Sequence, residues 1–96
     1  MQVRNESVAV GTTQASVAAE VGEGQRSLIC FTNTSTAGET ITISAGQQAT
    51  AGAGIVLYPA GSWSESNDNY FRCYAGQYYA VASAGTATMA IHERLG

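Results

Sequence analysis

The residues with the widest chemical repertoire in this 96-residue chain are few: one histidine (His92), one aspartate (Asp68) and two cysteines (Cys30 and Cys73). Nucleophilic catalysis needs a nucleophile, a base and a group that orients the base. Serines are plentiful, so the count leaves such a set open, but no Gly-x-Ser-x-Gly elbow is present. His92 closes an alternating run and falls on the face opposite Met89 and Ile91, the position of a surface strand histidine. Cys30 lies within Leu28-Ile29-Cys30-Phe31, where burial would raise a thiol pKa and leave it inert. Cys73 follows Arg72, whose charge favours the thiolate, but its aromatic neighbours favour packing. The 43 positions between the cysteines and the single histidine match no zinc-ligand spacing. Asn67-Asp68-Asn69 offers oxygen ligands without the acidic density of a calcium loop and reads as a turn. Gly52-Ala53-Gly54 lacks the lysine of a phosphate-binding loop. Trp63 and Glu65 stand at strand spacing and can share a face, as in a sugar site, but a lone pair of this kind carries little weight. The expectation is a chain with no catalytic residue, no metal site and no cofactor.

Charge excludes further classes. The basic residues are Arg4, Arg26, Arg72 and Arg94, lysine is absent, and the net charge is −3. Nucleic-acid binding draws most of its affinity from cationic contacts to phosphate, so that role is not expected. A polybasic membrane attachment fails for the same reason. No apolar run approaches the roughly 20 residues that span a bilayer. The N-terminal residues lack the apolar core of a signal peptide, so synthesis in a reducing cytoplasm and two free thiols are expected. Alanine, glycine, serine and threonine make up 46 of the 96 residues. Short side chains give a thin core, which gains from partners that cover more surface.

Period two dominates the elements that must carry these residues. Thr40-Ile41-Thr42-Ile43-Ser44 alternates without a fault, which predicts a strand with one buried face. In Thr86-Ala87-Thr88-Met89-Ala90-Ile91-His92 the residues Ala87, Met89 and Ile91 point one way. Val17, Ala19 and Val21 do so in residues 16–21. Ser27-Leu28-Ile29-Cys30-Phe31 and Ile55-Val56-Leu57-Tyr58 are continuous apolar runs, which predict central strands covered on both sides. Ser7-Val8-Ala9-Val10 and Tyr78-Tyr79-Ala80-Val81-Ala82 complete the set, and residues 48–54 read as a loop. Turn signals at short intervals then predict an all-β fold, a small antiparallel β-sandwich or barrel of about 7–8 strands. Residues 1–96 form one domain in this reading, with residues 1–12 an edge strand or an inter-subunit arm.

Five of the eight aromatic residues fall in one stretch: Tyr70, Phe71, Tyr74, Tyr78 and Tyr79. Such residues close the end of a sandwich or form an interface. They are the candidate protein–protein contact.

Arg26-Ser27-Leu28-Ile29 leads into Thr32-Asn33-Thr34-Ser35-Thr36 and then Ile41-Thr42-Ile43-Ser44. Gly54-Ile55-Val56-Leu57-Tyr58-Pro59-Ala60-Gly61-Ser62-Trp63 follows, and the chain closes on Ala80-Val81-Ala82-Ser83 and Met89-Ala90-Ile91-His92-Glu93-Arg94. This order resembles small structural proteins of tailed-phage virions, over about residues 26–94. The resemblance implies a non-enzymatic β-sandwich of the virion, assembled in the host cytoplasm. Decoration of the head is the implied position, with the major capsid protein as partner. It also implies self-association, with a homotrimer suited to local threefold positions. A second reading is a tail or fibre module that holds a host glycan through Tyr74, Tyr78, Tyr79 and Trp63. A third is a small hydrolase using His92.

Overall fold

The alternating runs become eight strands in a computed structural model, which describes residues 2–96. They are β1 (Gln2–Val10), β2 (Ala15–Ala18), β3 (Arg26–Asn33), β4 (Ile41–Ala45), β5 (Ile55–Leu57), β6 (Ser62–Ser66), β7 (Tyr78–Ala82) and β8 (Ala87–Leu95). Two antiparallel four-stranded sheets form a β-sandwich, with orders β1-β8-β3-β6 and β2-β7-β4-β5. Ile29 and Phe31 of β3, Ala87, Met89 and Ile91 of β8, Ile41 and Ile43 of β4, and Tyr78, Ala80 and Ala82 of β7 meet in one buried core. Burying an aliphatic side chain of this size contributes about 1.5–3 kcal/mol, so these alternate positions set which face of each strand turns inward.

The run of residues 87–91 behaves as its alternation predicts and continues to Glu93 and Leu95, so that β8 is central and holds both β1 and β3. The first residues are an edge strand: β1 pairs with β8 over its whole length, from Gln2↔Leu95 to Val10↔Ala87.

Three expectations are corrected. The apolar runs at 27–31 and 55–58 are not both central strands covered on two sides. β3 is central, but its outer residues Leu28, Cys30 and Thr32 remain partly exposed, and β5 is an edge strand of three residues. Conversely β4, expected to bury one face, is covered on both: Ile41, Thr42, Ile43 and Ser44 are all buried. The loop that follows it folds back over the outer face. The Gly52 amide donates to Thr42 Oγ1 at 2.9 Å, and the φ of +140° at Gly54 lets the chain pass so close to the Ile43 carbonyl that a Cβ there would stand 2.7 Å from the oxygen. Finally, Val17, Ala19 and Val21 do not line one face, because an irregularity between Ser16 and Ala18 breaks the alternation and leaves Ala18 buried and Ala19 exposed.

A second irregularity, between Arg26 and Leu28, has larger consequences. The pairing of β3 with β8 runs Ile29↔Glu93 and Leu28↔Arg94, then skips Ser27 to reach Arg26↔Leu95. Regular alternation would place Arg26 outside with Leu28 and Cys30. The extra residue turns it inward, onto the face of Ile29 and Phe31.

Candidate functional site

Turned inward, Arg26 is 1% exposed and must satisfy its guanidinium inside the protein. Nε donates to Glu93 Oε2 at 2.7 Å. Nη1 donates to the carbonyls of Tyr74 (2.6 Å) and Gly76 (3.1 Å), and Nη2 to that of Ala19 (2.9 Å). The group lies 5.4 Å from the centre of the Tyr78 ring. Glu93, also buried, has a second cation at 3.3 Å in Arg4 Nε, and Arg4 in turn donates from Nη2 to the Val17 carbonyl at 3.3 Å. One arginine thereby ties β3, β8, the end of β2 and the 67–77 segment together at one end of the sandwich.

The 67–77 segment holds most of the aromatic cluster, and the structure divides that cluster. Tyr78 is core: it is 0% exposed and packs edge-on against Phe31 at 5.2 Å and against Tyr74 at 5.6 Å. It therefore leaves the set of candidate contact residues. Tyr79, half-buried on β7, donates its hydroxyl to Gln77 Oε1. Tyr74 is partly exposed and lies across Gly46 and Gly76, where a Cβ on either glycine would collide with its phenol. Tyr70 and Phe71 stand out in solvent, 90% and 69% exposed.

The exposed pair sits on an ordered turn. Asp68 Oδ1 accepts from the amides of Tyr70 and Phe71, both at 2.7 Å, and the Asp68 amide donates back to the Phe71 carbonyl at 2.9 Å. These amide bonds hold the Asp68 carboxyl below its ordinary pKa. Because the folded value is depressed, the turn is fully supported above the ordinary carboxylate pKa and loosens as pH falls through the folded value. Below the tip, Asn67 Oδ1 accepts from the Cys73 amide, Glu65 Oε1 from the Tyr74 amide, and the Ala75 carbonyl from the Val21 amide, each at 2.7 Å. Trp63 and Glu65 do share a face of β6, but that face points inward. Trp63 stacks beside Phe31 at 6.2 Å, and Glu65 Oε1 also receives the Tyr78 hydroxyl at 3.4 Å.

His92, Cys30 and Asn5 form a row across the outer face of the first sheet, since Asn5↔His92 and Cys30↔His92 are both register pairs. The row lines a shallow depression of about 350 Å³. His92 Nδ1 bonds Asn5 Oδ1 at 2.6 Å, and Nε2 accepts from Arg94 Nε at 3.0 Å, so both ring nitrogens are engaged away from the thiol. Among the described residues no three His, Cys, Asp or Glu side chains group as metal ligands.

The two thiols are separate and free. Cys73 is buried, donates to the Glu65 carbonyl at 3.3 Å, and has its pKa raised first by burial and then by the Glu65 charge, with Arg26 opposing. Arg72 does not activate it. In the folded protein a thiol reagent is expected to label Cys30 readily and Cys73 slowly, and to find two thiols after denaturation without reductant. Equal rates, or no titratable thiol, would contradict this arrangement.

Arg26 and Glu93 were not legible as a pair, because no local pattern signals a bulge at Ser27. Comparison with protein-family models, curated proteins and solved structures finds no match.

Proposed function

We propose that this protein is a non-enzymatic structural module that docks through the Tyr70–Phe71 tip, and that it decorates the head of a tailed phage by binding the major capsid protein. The observation that carries the docking role is two large aromatic side chains held in solvent on a turn whose backbone bonds are satisfied internally. Tyrosine and arginine, here Tyr70 and Arg72, are the residue types that anchor interfaces. A turn already ordered before contact loses little conformational entropy on binding. The capsid setting rests on the resemblance over residues 26–94. On a symmetric lattice many copies of a small contact suffice, through effective concentration. A module that binds the assembled shell and not dispersed subunits adds its binding free energy to the stability of the shell.

The glycan-binding alternative draws less support. Two of its four residues, Tyr78 and Trp63, spend their rings on the core, and Tyr74 covers two glycines. The hydrolase alternative needs a free ring nitrogen on His92, and both are bonded.

Purified heads lacking the protein test the proposal. Adding it back is expected to raise the temperature at which the heads lose DNA. Tyr70→Ala and Phe71→Ala should each weaken binding to heads by about 1–2 kcal/mol, while the free subunit melts as before. Heads that neither bind the protein nor gain stability overturn the capsid assignment. Binding to a glycan array with no binding to heads would move the tip to a sugar.

A further inference from the structure

β1 is the one long edge that no other strand or loop backbone of the described residues pairs with. Sheets usually blunt their edges with short strands, bulges, proline, charged side chains or a covering loop. Of the four edges here, β5 has three residues, β2 has four and an irregularity, and β6 has five. β1 has nine, in an unbroken register with β8 and with no proline, and its two inward-facing charges, Arg4 and Glu6, are of opposite sign. No bond from a loop backbone reaches it among the described residues. Alternate N–H and C=O groups along its outer side are therefore free to pair with another strand.

We propose that a second copy of this chain occupies that edge, through antiparallel β1–β1 pairing about a twofold axis at Asn5. The two four-stranded sheets then join into one of eight strands. Charge favours a second copy of this chain as the occupant. Joining two copies edge to edge with antiparallel strands requires the twofold to be normal to the sheet, so inner face continues into inner face and opposed residues have the same parity. Three such registers place the axis near the charged residues. Centred on Arg4, the pairing opposes Arg4 to Arg4; centred on Glu6, it opposes Glu6 to Glu6. Centred on Asn5, each Arg4 faces the partner copy's Glu6. Directly opposed like charges destabilise a sheet, and opposite charges support it. The Arg4 guanidinium already leans toward Glu6, with Nη1 3.6 Å from Oε1, and both side chains are partly exposed. Pairing would close them into an alternating quartet. The same register sets Val3, 53% exposed, beside the partner copy's Ser7 and covers it in part. The contact is self-complementary, so it closes at two copies. It differs from the trimer that the resemblance implies and does not depend on binding to heads.

Two measurements on the full chain test it. Sedimentation across micromolar to millimolar concentration is expected to show a monomer–dimer equilibrium, weakened about tenfold or more by Glu6→Arg, which sets Arg4 against a like charge. In a Cys30→Ser background, Asn5→Cys is expected to form a disulfide-linked dimer under mild oxidation, since residue 5 meets itself at the axis. Val3→Cys, which faces residue 7, should not. A monomer at all concentrations, a trimer, a dimer indifferent to Glu6→Arg, or equal cross-linking from positions 3 and 5 each overturns the proposal.

Discussion

Arg26→Met is expected to cost about 3–5 kcal/mol of folding stability, the range for breaking a buried ion pair from one side. The cost arises less from the attraction lost than from what is left behind. Glu93 would keep a buried carboxylate with Arg4 at 3.3 Å as its remaining cation, and the carbonyls of Ala19, Tyr74 and Gly76 would lose their donor together. In a domain of this size each kcal/mol lowers the melting temperature by about 4–8 °C, so thermal unfolding should shift by tens of degrees or begin near ambient temperature. Arg26→Lys should rescue little, because one compact ammonium cannot reach four acceptors spread around a planar fork. The double variant Arg26→Met, Glu93→Leu should recover part of the loss, since removing both charges removes the uncompensated one. A melting curve for Arg26→Met within a few degrees of the parent protein would show that the four contacts contribute nothing net.

The second large effect separates a buried tyrosine of the cluster from an exposed one. Tyr78→Ala should cost about 3–5 kcal/mol, as aromatic truncations in a packed core do, and Tyr70→Ala should stay within about 0.5 kcal/mol. Tyr78 fills the space between Phe31, Trp63 and Tyr74, with Arg26 over its ring. Its hydroxyl bond to Glu65 is long, so Tyr78→Phe should cost only about 1 kcal/mol. Burial, with the Glu65 charge adding to it, pushes the Tyr78 phenol above its ordinary value, so it should remain protonated where exposed tyrosines ionise. Urea denaturation orders the three variants, and equal midpoints for Tyr78→Ala and Tyr70→Ala would refute the division of the cluster.

Strands with strict alternation were legible from composition and period alone. Ala87, Met89 and Ile91 turn inward, as their alternation with Thr88 and Ala90 implies. β6 was hidden. Its inward residues are Trp63 and Glu65, so it holds one apolar side chain and shows no hydrophobic run. Its face was visible as a Trp–Glu spacing, but the direction of that face depends on Phe31 and Tyr78, which lie far off in sequence. The burial of Thr42 was likewise out of reach, because it comes from a loop that crosses over it. At the aromatic cluster the sequence marks where the rings are and not which way the chain turns. That is decided by the Asp68 turn at one end and by Arg26 at the other. A one-residue irregularity at Ser27 leaves no trace in hydrophobic pattern, yet it decides whether an arginine is surface or keystone.

The central place of β8 has a bearing on how the chain reaches this state in time. Of these eight strands β1 is synthesised before the others, and its whole ladder is with β8, synthesised after them. β3 likewise lacks its β8 neighbour until then. The first sheet therefore cannot assemble progressively as the chain emerges. Such non-local topologies fold on the millisecond-to-second scale, because loop closure precedes the contacts that repay it. Until β8 arrives, β1 is a nine-residue strand with both edges open, and at high expression levels that interval is when chains would meet and associate wrongly. A growth-temperature dependence of soluble yield would then report the lifetime of the unpaired strand more than the stability of the finished sandwich.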